Sequence, residues 1–345
     1  MLFRSQAPQN ETWDRRVDAT VNASDVGAHA DVDAQLGAHV HLRGGMRADV
    51  LHYDVDDRLG NFIPRFQRET HIVGYRRTAL GLAAGPRGTL EIEPRSWLRL
   101  LASYGEGYRS PQALQLEEGE NAPFAKVRAA EVGFKLLPGR GEKLTVTGAA
   151  YRTTLSSDLA FAPGEGRLER IGPTLRQGFA AHVLTRPAPW ALASLSATYV
   201  RATLTAPPTA TAENPSPPYV KGQLLPYVPP WVLRGDLGVT RELTLPRGEH
   251  MDLRAGAGAT YLSSRPLPYG RFAQTVFLMD ASASARWRFL ELGLVAFNVL
   301  DARYAATEYS FVSDWGNREA PSLVPARHFS AGPPRSFFAS LSLHF

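Results

Sequence analysis

Cysteine is absent from the 345 residues, so neither a disulfide scaffold nor a thiolate-ligated metal site can be built. Lysine is scarce: Lys126, Lys135, Lys143 and Lys221 stand against a total of 38 basic residues. The arginines are spread along the whole chain and balanced by 33 acidic residues. Without a Lys/Arg run or zinc-finger spacing, the +5 net charge reflects genome composition rather than a nucleic-acid partner. No stretch approaches the roughly 18 consecutive apolar residues of a spanning helix. A β-barrel escapes that test, because its apolar residues alternate with polar ones. Residues 1–16 lack an apolar core, so they do not read as a signal peptide.

What is present is period-two alternation, the mark of strands with two unlike faces. From Trp231, the residues Leu233, Leu237, Val239 and Leu243 share a face opposite Arg234, Asp236 and Thr240. Met251, Leu253, Ala255, Ala257, Ala259 and Tyr261 oppose Asp252, Arg254, Gly256, Gly258 and Thr260. Met279 to Phe289 and Phe337 to Phe345 repeat the pattern. Aromatic residues sit at segment ends, small Ala and Gly fill the middles, and charges lie mid-strand on the opposite side. A buried sandwich core would want bulkier middles, whereas a lipid-facing barrel wall has aromatic girdles and a polar lumen.

Fourteen strands are predicted, near 12–22, 26–36, 40–55, 79–93, 97–106, 127–137, 143–155, 174–185, 190–205, 231–244, 250–262, 277–288, 290–300 and 336–345. Tight connectors, such as Pro94-Arg95-Ser96 and Pro246-Arg247-Gly248, alternate with long ones at 56–78, 107–126, 156–173, 206–230, 263–276 and 301–335. The connector near Ala23 to Asp25 breaks the rule by being short where a long one is due. Outer-membrane barrels separate short periplasmic turns from long outside loops in this way. The fold class is therefore all-β, a transmembrane antiparallel β-barrel. An even count of fourteen would let the segment near 13–22 close antiparallel onto 337–345.

Candidate catalytic motifs fail on inspection. Gly105 to Pro111 lacks the third glycine and the following helix of a phosphate loop, and residues 138–143 lack Walker spacing. His39 and His41 share a strand face but are isolated, so no metal site is expected. There is no nucleophile elbow and no H-E-x-x-H helix. Glu117-Glu118 and Asp56-Asp57 have no His or Lys partner, and read as solvated loop charge. No enzyme activity and no cofactor are expected.

Several segments nonetheless resemble one family, the TonB-dependent outer-membrane receptors. Tyr104, Gly105, Gly107, Tyr108, Arg109 and Pro111 are similar to its Tyr-Gly-x-Gly-Phe-Arg-x-Pro run. Phe297-Asn298-Val299-Leu300-Asp301-Ala302-Arg303-Tyr304 resembles its Asn-Leu-Phe-Asp-x-x-Tyr signature before the last long loop. Gly44-Gly45-Met46-Arg47-Ala48-Asp49 is similar to its Pro-Gly-x-Arg-x-Asp strand, with Gly44 in place of Pro. Terminal Phe345, with Phe337, Leu341 and Leu343, resembles the assembly signal read by the barrel-assembly machinery.

The resemblance implies a 22-stranded barrel of which residues 1–345 hold the C-terminal portion as a single partial domain. Nothing in the chain reads as the plug or the TonB-contacting box. The intact parent would be an energised importer of a scarce solute, such as a ferric siderophore, a cobalamin or a glycan, integral to the bacterial outer membrane. Its partners would be membrane lipid, lipopolysaccharide and, through the missing plug, TonB. Loop residues Tyr108, Arg109, Tyr227, Tyr269, Arg271, Tyr309 and Trp315 are candidate ligand contacts, loop packing or lipopolysaccharide contact being the alternatives. A complete fourteen-stranded passive channel and a soluble β-rich carbohydrate-acting enzyme are the competing readings.

Overall fold

The computed structural model describes residues 4–6, 12–15, 19–58, 75–109, 124–141, 143–162, 167–206, 220–246, 248–313 and 324–344. Among them there is no α-helix. Seventeen strands run in order: β1 Arg4–Gln6, β2 Thr12–Arg15, β3 Ala19–Leu36, β4 Val40–Asp57, β5 Tyr75–Arg95, β6 Leu98–Arg109, β7 Ala125–Leu136, β8 Leu144–Ala162, β9 Arg167–Ala188, β10 Ala191–Leu204, β11 Trp231–Thr244, β12 His250–Leu262, β13 Val276–Trp287, β14 Leu290–Phe297, β15 Ala305–Ser313, β16 Val324–Ala331 and β17 Ser336–Leu343. Thirteen of them, β3 to β14 and then β17, form one sheet in chain order. Each is antiparallel to the next. β1–β2 and β15–β16 are separate hairpins.

The strand count of the main sheet differs from expectation at one place. Segments 12–22 and 26–36 are not two sheet strands: β3 runs unbroken from Ala19 to Leu36, paired throughout with β4. Asn22, Ser24 and Asp25 look like turn chemistry, but alternation continues through them. Polar residues there mark a strand leaving its apolar zone, not reversing. Removing the false turn also removes the one irregular connector. With thirteen strands, β3 and β17 are the sheet edges and run in the same direction, so the antiparallel closure expected of fourteen does not apply.

Two expected loops carry strand. The 156–173 connector is mostly hairpin, because β8 and β9 continue to Ala162 and from Arg167. The 301–335 connector folds into β15–β16. A sequential meander brings the strand ends that lead into the long connectors to one end of the sheet and those that flank the tight turns to the other. His344 N donates to Phe289 O at the turn end, so the last described residue lies at the end opposite Leu204 and Trp231, which flank connector 206–230.

Register carries the two faces across the sheet. Leu237, Ala257, Ala281, Ala296 and Phe337 align on one face. Asp33, Arg43, Thr89, Ser103, Glu131 and Tyr151 align on the other. Large apolar side chains on the first face are bare: Val132 is 67% exposed, Leu237 64% and Leu341 66%. A protein surrounded by water rarely exposes so continuous an apolar surface. Burial is instead concentrated at the loop end of the polar face. One cluster holds Leu51, Tyr53, Val55 and Ala79; another holds Ala160, Ile171, Ala202, Leu204 and Leu225.

Candidate functional site

The apolar face has a measurable height. Ten residues separate Phe277 from Trp287 on β13, and the same number separates Tyr261 from Met251 on β12. At about 3.3 Å per residue and a tilt of about 40°, ten residues rise about 25 Å, the height of a barrel's apolar band. At the loop end, Phe179, Tyr199 and Trp231 pack ring to ring, with centroids 4.9–5.7 Å apart. At the turn end, Trp190 and Phe289 are exposed, and the Trp287 indole N–H donates to Glu249 at 2.8 Å. Aromatic rings therefore bound the band at both ends. Beyond it, His52 and Asp54 replace Val50 along β4. There the Arg76 guanidinium hydrogen-bonds Asp54 at 2.7 Å and holds its carboxyl below the usual range.

The polar face is lined by ion pairs on its β3–β5 side. Arg87 binds Asp31, Arg43 and His41 bind Asp33, and Arg47 binds Asp49. Beside them lies an open groove of about 370 Å³ lined by Arg43, Arg87, Thr89, Ser103, Glu131 and Tyr151. Gly178 lets the β10 backbone come close: a Cβ there would stand 1.9 Å from Tyr199 O, which accepts from the Tyr151 hydroxyl at 3.4 Å.

At the loop end a cap lies over this face. Asp158 is 1% exposed and its carboxylate gathers four donors: Arg109 at 3.1 Å, Arg176 at 2.6 Å, the Thr174 hydroxyl at 2.8 Å and the Leu159 N–H at 2.8 Å. Both guanidiniums remain 37% exposed. Glu308, 2% exposed on β15, accepts from Arg327 at 2.5 Å and from Gln274 N at 3.2 Å. Tyr309 packs between Phe161 and Tyr227, with ring centroids 5.8 and 5.6 Å away.

The expected contact residues fall into separate places. Tyr227 and Tyr309 meet directly, and Arg271 joins their neighbourhood by donating to Pro325 O at 2.9 Å. Tyr269, 54% exposed at a left-handed φ of 63°, stands on the 268–270 turn. Arg109 belongs to the Asp158 cluster. Tyr108 is held apart by an edge contact to Phe124 at 6.0 Å, a hydrogen bond to Ala84 O and Lys126 over its ring. Trp315 lies outside the described residues. Of the expected assembly signal, Phe337, Leu341 and Leu343 share the apolar face of edge strand β17, while Phe345 lies outside the described residues. Asp158, Arg176 and Phe161 were not anticipated; a lone Asp or Phe inside a presumed loop offers no periodic signal.

The 297–304 segment is a built turn. Asn298, 5% exposed at φ 49°, donates from its backbone to Asp280 and from its amide to Ala302 O and Pro333 O, and accepts from Ala302 N. Asp301, at φ 51°, accepts from Arg335 N. This turn fixes where β14 hands over to the cap and where the cap returns to β17.

A family model described as TonB dependent receptor-like, beta-barrel matches residues 3–299. No curated protein matches the chain. Among solved structures, the ferric-catecholate import receptor Fiu of E. coli K12 superposes with a TM-score of 0.66 at 18% identity, covering 95% of this chain and 45% of that one. The siderophore receptor PiuA of Acinetobacter baumannii gives 0.69 at 18%, covering 94% and 44%. The ferric yersiniabactin uptake receptor FyuA of Yersinia pestis gives 0.69 at 14%, covering 95% and 46%. The chain spans less than half the length of these three structures.

Proposed function

We propose a function on one premise: this chain belongs to the TonB-dependent receptor-like β-barrel family. Residues 1–345 form a single domain that is part of a barrel wall in the bacterial outer membrane. The apolar face meets lipid, the polar face meets the lumen, and the capped loop end faces outward. The assembly to which this wall belongs imports a scarce solute of the ferric-siderophore, cobalamin or glycan kind. TonB acts on it through a plug domain seated against the charged lumen face. The chain binds and passes its solute rather than transforming it. The observation that carries this reading is the two-faced sheet, whose exposed apolar band is one bilayer core high and edged by aromatic rings. Tyr227, Tyr309, Tyr269, Arg271 and Arg109 offer rings and donors at the outer mouth, where a solute arrives first.

The test is uptake of candidate ferric siderophores, cobalamin and glycans by cells that produce the protein and by cells deleted for it, each with and without TonB. Uptake that needs both supports the reading. Flux that needs the protein but is indifferent to TonB would favour a passive channel instead.

A further inference from the structure

The apolar face ends, at the loop end, in a row that solute import does not use. Register aligns Arg201 on β10, Gln177 on β9 and Arg152 on β8. Parity puts all three on the apolar face, beyond Tyr199, Phe179 and Ala150, and all three are exposed. Many arginines of the sheet are paired, Arg43, Arg76, Arg87, Arg109, Arg176 and Arg234 each binding a carboxylate, while Arg186, Arg241, Arg254 and Arg286 have no carboxylate partner among the described residues. Arg152 and Arg201 have no hydrogen-bond or ion-pair partner among the described residues. On β7, Arg128 shares Glu106 with Lys126, so among the described residues this corner carries four cations against one carboxylate.

Position gives the charge its meaning. Arg201 is ten residues past Ala191, the first residue of β10. On the scale used above that is about 25 Å from the turn end, where acyl chains stop and headgroups begin. Strands about 4.8 Å apart put the two arginine-bearing strands roughly 10 Å from each other, with Gln177 between them. Guanidinium side chains are long enough to reach one group across such a gap. Arg reads phosphate by paired, charge-assisted hydrogen bonds. Towards the turn end the same strands offer Phe179, Ala181 and Val183, and Ala193, Leu195 and Ala197, a strip suited to acyl chains.

We propose that Arg152, Gln177 and Arg201 bind the phosphate of a phosphorylated glycolipid of the outer leaflet, with its acyl chains against the strip. This rests on the reading that the apolar face meets lipid. The occupant is a lipid rather than a free anion because the cationic row and the acyl strip are continuous along β9 and β10.

The experiment is native mass spectrometry of the protein extracted in mild detergent from outer membranes. The probes are bisphosphorylated lipid A, the same glycolipid after removal of its phosphates, and inorganic phosphate. Retention of the bisphosphorylated form is expected. The pair Arg152→Gln and Arg201→Gln should weaken it roughly ten-fold or more, through loss of two charge-assisted contacts. The pair Arg152→Lys and Arg201→Lys should keep most of it, and Arg241→Gln, on the same face near the turn end, should change nothing. Heat-dependent gel mobility shows that each variant is folded. Equal retention by the Gln pair, equal binding of the dephosphorylated glycolipid, or saturation by inorganic phosphate alone would overturn the proposal. Absence of the protein from the outer-membrane fraction would overturn the membrane reading itself; presence there with no phosphate dependence overturns this site alone.

Discussion

At the scale of single residues, face decides consequence. Ala257 sits mid-strand on the apolar face between Leu237 and Ala281. An Ala257→Arg substitution is expected to cost about 2–4 kcal/mol, as an arginine at the midplane of a lipid face does. Gly256 is a poor control on the other face, because a Cβ there would stand 3.1 Å from Ser282 Oγ. Ser282 itself is exposed on the polar face, and Ser282→Arg should stay within about 0.5 kcal/mol. Urea unfolding in lipid vesicles measures both, and equal costs would mean the faces are assigned wrongly. Asp158 shows the opposite case, a charge whose removal strands others. Asp158→Ala leaves Arg109 and Arg176 without their shared carboxylate. The expected loss is about 3 kcal/mol, the low end for breaking a buried pair, since both guanidiniums are part-exposed. A variant as stable as the parent in the same unfolding series would show that the cluster is not what holds this part of the cap.

At the scale of elements, the strands and the alternation of tight and long connectors were legible, and the strand pairing inside the long connectors was not. Alternation located β4 to β14 to within a few residues at most ends, because each residue's face follows from its immediate neighbours. It failed at β3, where polar residues beyond the apolar zone resembled a turn, and at 156–173, where β8 and β9 run on past the band. The 297–304 turn lay between these extremes. Its sequence marked it, but its work appeared only in the structure, where Asn298 joins β13, β14 and the return to β17. Asn298→Ala removes three side-chain hydrogen bonds and places alanine at a left-handed φ, for an expected cost of about 2–4 kcal/mol. The readout is the temperature at which the protein loses its folded gel mobility, together with protease cutting of the 305–331 hairpin. An unchanged profile in both would mean that the turn is not a fixed joint.

At the scale of the whole molecule, the edges matter. β3 and β17 each have one side without a strand partner among the described residues, and lipid supplies no hydrogen bonds to such a side. Thirteen sequential antiparallel strands cannot close antiparallel, because the first and last run the same way. Residues 1–345 placed in the outer membrane by themselves are therefore expected to show no TonB-dependent uptake, and to pair their edges with other copies instead. Solute uptake with and without TonB, alongside cross-linking through cysteines introduced on β3 and β17, measures this. TonB-dependent uptake by that chain would contradict it.

The order of amino acids by itself determined the two faces, the height of the apolar band and the end at which the turns lie. Each of these depends on parity and spacing within a strand, and the pleat converts such local facts directly into geometry. Only the tertiary structure decided that Tyr227 meets Tyr309 and that Asp158 gathers Arg109 from one strand and Arg176 from another. It also decided that Arg152 and Arg201 flank Gln177 on neighbouring strands. Those partners lie tens of residues apart along the chain, and the lengths of the connecting segments do not set which side chains face each other. Register and the folding of the cap set it, and both arise from the joint packing of many strands.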